Sequence, residues 1–135
     1  MSKPVQIQLS VVELQTLLQE LSGWDKVTTI VIHCGCVFEY KGRFPSGSNA
    51  EGYYNFGAGE TGFQGHLRLE NIACVRFQDR PHRGRASCAF VFETEEGEAV
   101  FKVFLGRNEQ GEIIEAQRQR FDEMRHRTES SEHAE

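Results

Sequence analysis

Apolar positions recur at helical spacing over residues 10–22. Leu14, Leu17, Leu18 and Leu21 fall on one stripe. Ser10, followed three residues later by Glu13, gives a capping box at the start. Ser22-Gly23 ends the segment. The stripe predicts a helix packed on a sheet. The period then changes. Val27 to Ile32 is a β-branched run, which predicts a buried strand closed by His33. Val37 to Lys41 predicts a second strand. Residues 42–49 combine Gly, Pro, Ser and Asn and read as a long polar loop around Phe44, of the kind that borders a site.

Residues 51–71, EGYYNFGAGETGFQGHLRLEN, predict two short strands joined by a glycine-rich turn. Along the second, Phe63, Leu67 and Leu69 share one face, while Gln64, His66, Arg68 and Glu70 share the other. His66 and Arg68 are therefore side by side on the polar face. Ile72 to Gln78 predicts another strand, and residues 79–85 a basic loop. Ala86 to Glu93 alternates, with Cys88, Phe90 and Phe92 on one face, and Glu95-Glu96-Gly97 predicts a hairpin turn. Val100 to Leu105 sets Phe101, Val103 and Leu105 against Val100, Lys102 and Phe104.

A last helix is predicted over residues 109–125. Glu109, Glu112 and Glu115 lie early and Arg118, Arg120 and Arg125 late, the order a helix dipole favours. Ile114, Gln117, Phe121 and Met124 share its apolar face. Residues 1–128 form a single domain on this reading, and residues 129–135 a disordered polar tail. The short connections favour antiparallel pairing. The fold class is α+β: a large antiparallel sheet of about seven or more strands with flanking N- and C-terminal helices.

Composition narrows the function. The chain has 135 residues, 39% hydrophobic and 26% charged, with net charge -5. That balance argues against broad attraction to nucleic acid. No apolar run approaches the roughly 18 residues of a membrane-spanning helix, so no membrane insertion is expected. MSKPVQIQLS lacks the apolar centre of a signal peptide, and the expected location is cytoplasmic. Cys34, Cys36, Cys74 and Cys88 are then free thiols. The Cys34-Gly35-Cys36 spacing is shorter than a zinc knuckle and reads as small buried strand residues.

His66 beside Arg68 pairs a possible iron donor with a cation that can hold a carboxylate. Haem asks for an axial donor, apolar contact on the porphyrin faces, and cations for the propionates. Phe44, Tyr53, Phe56, Phe63 and Phe104 are apolar candidates, and Arg43, Arg68, Arg76 and Lys102 are propionate candidates. The chain contains neither a GxGxxG fingerprint after a strand nor a P-loop.

The blocks FEYKGRFPSG, GYYNF, GFQGHLRLEN and AVFKVFLGRNEQGEI follow one another between Trp24 and Phe121. In that order they resemble the intracellular haem utilisation carriers of the HutX/ChuX type. The resemblance implies a non-enzymatic protein for haem uptake, trafficking or storage in iron acquisition, with haem as cargo. It implies a fold similar to one half of the ChuS/HemS haem proteins, a homodimer, and a haem-donor or haem-acceptor protein as a possible partner. Of the family's two haem-linked histidines, one falls on His66, which becomes the implied axial ligand of haem iron. The residue nearest the other is His33, one position out of register, and a bulge at Gly35 would restore it. His82 and Arg83 stand where family members carry an apolar pair. A carrier must release its cargo, so one axial ligand in an open cleft is expected. The alternatives are an enzyme that opens the porphyrin and releases iron, or a partner-binding module that never meets haem.

Overall fold

The computed structural model describes residues 5–57, 59 and 62–133. Among these residues the chain forms β1 (Val5–Gln8), α1 (Val11–Leu21), β2 (Val27–His33), β3 (Cys36–Gly42) and β4 (Gly47–Ala50). Then come β5 (Tyr53–Phe56), β6 (Gly65–Leu67), β7 (Cys74–Asp79), β8 (Cys88–Glu93), β9 (Ala99–Leu105) and α2 (Glu115–His133). A 3-10 turn, Leu69–Asn71, separates β6 from β7. The strands divide into a six-stranded sheet, β1-β7-β8-β9-β2-β3, and a three-stranded sheet, β4-β5-β6. All the pairings are antiparallel. The fold is α+β with an N-terminal and a C-terminal helix.

Helix α1 follows its sequence signals. The Ser10 side chain accepts from the Glu13 backbone N–H, and Glu13 accepts from that of Ser10. Leu14, Leu17, Leu18 and Leu21 are all buried. Each such side chain contributes roughly 1.5–3 kcal/mol on leaving water. Strand register puts Ile7, Val75, Phe77, Phe90, Phe92, Val103 and Val27 on one face of the large sheet. The α1 leucines and Phe121 of α2 belong to the same buried cluster, as do Tyr54 and Phe56 of the small sheet. Helices and small sheet therefore cover one face. The other carries Gln6, Arg76, Gln78, Lys102, Phe104 and Ile30.

Several expectations need correction. Residues 42–49 are not all loop, because Gly47–Ala50 pairs with Tyr53–Phe56 as β4. Its GSNA sequence carries no strand-favouring residue, so the partner strand imposes the conformation. Strand β1 pairs with β7 over Val5–Gln8 and went unpredicted. Helix α2 starts at Glu115 and not at 109. The Asn108 side chain accepts from the Gln110 and Glu112 N–H groups, and Gly111 at φ 80° turns the chain before the helix can begin. Glu109 and Glu112 thus lie outside the first helical turn. The helix continues through His133, across most of the expected polar tail. Residues 134 and 135 lie outside the described residues.

Cys34 and Cys36 are exposed and not buried. Cys34 and Gly35, at φ 52° and 78°, form a two-residue turn. No bulge occurs there: the β2–β3 ladder runs unbroken from Val27↔Gly42 to His33↔Cys36. Among the described residues, no helix is long and apolar enough to cross a membrane.

Candidate functional site

The small sheet builds the site. Its register pairs Tyr54 with Leu67, Asn55 with His66, and Phe56 with Gly65. Alternation sends Tyr54, Phe56 and Leu67 inward and leaves Tyr53, Asn55 and His66 on the outer face. Two glycines make this close pairing possible. A Cβ on Gly57, at φ 84°, would strike the Phe63 carbonyl oxygen. A Cβ on Gly65 would lie 2.8 Å from the Phe56 ring. Residues 57 and 63–64 can approach only because Gly57 has no side chain.

Asn55 sets the chemistry of His66. Its amide nitrogen donates to the carbonyls of Ala50 and Tyr53, each at 3.3 Å. Its Oδ1 therefore faces the imidazole, 2.6 Å from His66 Nδ1. An amide oxygen only accepts, so Nδ1 carries the proton. In the neutral ring Nε2 then keeps its lone pair, the form that can ligate a metal. The ring is exposed and meets Tyr53 edge-on, with centroids 6.4 Å apart.

Tyr53 also holds Arg68. The guanidinium donates to the Tyr53 hydroxyl at 2.6 Å and lies 4.9 Å from the ring centroid. It makes an exposed ion pair with Glu70 at 3.2 Å. Hydrogen bonding to the Tyr53 oxygen, then to Glu70, raises the Arg68 pKa. The result is an outer face with an imidazole donor, an aromatic ring and a positioned cation in series. Asn55 went unnoticed in the sequence. Alternation within Tyr53-Tyr54-Asn55-Phe56 places it outward, but only the β5–β6 register shows that His66 is its partner.

The other candidates lie elsewhere. His33 is exposed at the β2–β3 hairpin tip, on the other sheet. Phe44 is 1% exposed and stacks with Phe56 at 5.6 Å and Phe101 at 6.2 Å, within the buried core. Phe63 stacks on Tyr40 at 4.8 Å and is half-buried. Arg43 pairs with Asp25 at 3.0 Å on the surface. His82 sits in the tight β7–β8 turn, bonded through its backbone to Arg85.

Lys102 and Phe104 lie on the far face of the six-stranded sheet, opposite the small sheet. Lys102 Nζ donates to Gln78 at 3.3 Å, and Arg76 pairs with Glu93 at 3.2 Å. Burial, then the charges of Arg76 and Arg80, lowers the Lys102 pKa. Lys102 and His66 thus belong to different sheets. A hollow of about 230 Å³ lies between Tyr40, Phe63, Phe38 and Thr29, smaller than a porphyrin needs.

The intracellular heme transport protein HutX of Vibrio cholerae is 46% identical over 110 residues, which are 82% of this chain and 57% of that protein. The chain thus spans little more than half the length of that relative. The solved structure of the heme binding protein ChuX superposes with a TM-score of 0.81 at 25% identity, covering 94% of this chain and 78% of that one. The heme degrading enzyme ChuS of Escherichia coli O157:H7 shares the fold at 16% identity, with a TM-score of 0.71 over 90% of this chain and 36% of its own. The haem utilisation ChuX/HutX family matches residues 7–124, and this chain belongs to that family.

Proposed function

We propose that this protein is a cytoplasmic haem carrier in iron acquisition, that it holds ferric haem through His66 Nε2, and that it works as a homodimer. The observation that carries the reading is the Asn55–His66 hydrogen bond. With Nδ1 held as the donor, Nε2 is the nitrogen through which the neutral imidazole presents its lone pair to iron. Arg68 can turn from Glu70 to a propionate at little cost, because an ion pair this exposed contributes little. Tyr53 offers a flat neighbour to the macrocycle. An exposed imidazole on β6, an edge strand of a three-stranded sheet, suits reversible loading better than permanent burial.

Lys102, Phe104 and Arg76 enter this reading through a second copy, whose far sheet face would meet haem held on His66. His33 would then be a second, weaker contact. The haem passes between a donor and an acceptor protein and is not consumed.

The test is a hemin titration of wild type and His66→Ala. His66→Ala should bind at least about tenfold more weakly, the scale of one lost interaction of about 1.4 kcal/mol, and its Soret band should move. An unchanged band and affinity would remove His66 from the site. Adding a reductant then separates carrier from enzyme. A persisting haem spectrum supports carriage, whereas bleaching with release of iron would mean turnover.

A further inference from the structure

The β2–β3 hairpin ends in His33-Cys34-Gly35-Cys36, and both thiols are exposed. We propose that Cys34 and Cys36 form a redox-active dithiol, which closes to a disulfide by exchange with a small-molecule disulfide of the glutathione class. Three observations support it. The two cysteines flank a single turn glycine, and residues so placed lie within the roughly 4.4–6.8 Å Cα span that a disulfide bridges. The Cys36 thiol already leans across the turn, with Sγ 3.8 Å from the Cys34 carbonyl oxygen. The tip also stands clear of the molecule, since a Cβ built on Gly35 would meet nothing within 4 Å. An incoming disulfide therefore has room.

The other two cysteines show the contrast. Cys74 and Cys88 are 6% and 1% exposed. Burial, and then the charge of Glu93, raises the Cys74 pKa. Burial, and then the charge of Asp79, pushes Cys88 up to about 11. Both stay protonated and shielded at neutral pH, and the thiolate is the reacting form. Chemistry with thiol reagents is thereby directed to the hairpin tip.

The exchange balances as follows. One tip thiolate attacks the small disulfide, breaks its S–S bond and forms a mixed disulfide, with one small thiolate leaving. The second tip thiolate attacks the protein sulfur of that mixed disulfide and expels the other small thiolate. Two protein thiols are oxidised, one small disulfide is reduced to two thiols, and the two protons pass to the departing thiolates. A ring closed over one intervening residue is strained and readily reduced again, so the bridge is reversible. Closure pulls Cys36 away from His33, its partner on the last rung of the β2–β3 ladder. The dithiol does not depend on haem and stands whether or not hemin binds.

The test incubates the full chain in a glutathione redox buffer, blocks remaining thiols by alkylation, and reads intact mass and peptides. Wild type should lose two hydrogens, with Cys34 and Cys36 joined and no glutathione retained. Cys34→Asn and Cys36→Ser should each stop at a mixed disulfide carrying one glutathione. Asn suits the positive φ at position 34, and circular dichroism checks that both variants fold. Phenylarsine oxide should bridge wild type once and neither variant. Wild type that stops at the mixed disulfide, stays reduced, cross-links between chains, or reacts first at Cys74 or Cys88 would overturn the proposal.

Discussion

On the covered face of the six-stranded sheet, Phe121 meets Phe77 at 5.3 Å and Phe90 at 5.2 Å, and Phe77 and Phe90 meet each other at 5.7 Å. Each ring has several neighbours, and no single contact is unique. On the outer face of the small sheet, His66 is hydrogen-bonded to Asn55 among the described residues, and Arg68 depends on Tyr53 and Glu70. The covered face gains stability from non-directional burial. The outer face gains little stability, but it specifies which nitrogen is bare and where a cation stands. The two properties should therefore separate under mutation, since changes in the core move folding and changes on the outer face move ligand affinity.

The largest effect belongs to the core. Phe121 is fully buried and anchors α2 to β7 and β8. Phe121→Ala should cost about 3–5 kcal/mol in chemical denaturation. The haem spectrum of the fraction still folded should match wild type. A loss of haem binding at native-like circular dichroism would break the separation between the two faces.

The same contrast explains what could be read from the sequence. α1, β2, β3, β7, β8 and β9 were legible because periodicity, caps and β-branched or aromatic runs agree there. β4 was not, because Gly47–Ala50 takes its strand form from β5. The start of α2 was hidden because Asn108 and Gly111 form a competing turn ahead of it. Within the site, alternation alone was enough to put His66 and Arg68 on one exposed face. The Asn55 partnership needed strand register, which no local pattern carries. Phe44 reads as a cleft residue because it sits among loop-forming residues, and only packing shows it stacked between Phe56 and Phe101. The exposure of Cys34 and Cys36 likewise follows from a tight turn that residue type does not announce.

A smaller effect should isolate the outer face. Asn55→Ala removes the acceptor that holds His66 Nδ1–H, while Tyr53 and Arg68 remain in place. Loss of such a supporting contact typically weakens metal affinity about 10–100-fold. Hemin affinity should fall by that factor, with the Soret band still that of an imidazole complex. The denaturation midpoint should move far less than for Phe121→Ala. Unchanged affinity would mean that the Asn55–His66 bond does not set the donor nitrogen.

The smallest effect concerns the edge of the core, where α2 meets the sheet through charge. Arg118 and Arg125 reach Asp79 at 3.0 and 2.9 Å, and Asp122 holds both arginines. Burial alone would raise the Asp79 pKa, but the Arg125 hydrogen bond and the two arginine charges lower it. A lowered carboxylate pKa means that the folded state binds this proton less readily than the unfolded chain. The stabilisation is therefore complete above the ordinary aspartate range and disappears as pH falls through the folded value. At neutral pH, Asp79→Asn should cost about 1 kcal/mol, a charge-assisted bond discounted for partial exposure. Its stability should also vary less with pH on the acid side, so that the two proteins converge there. Haem affinity near neutral pH should stay at the wild-type level, because this network lies at the α2 edge and shares no residue with His66, Asn55, Tyr53 or Arg68. A parallel acid limb in the two proteins would show that Asp79 is not what ties α2 to the sheet at neutral pH.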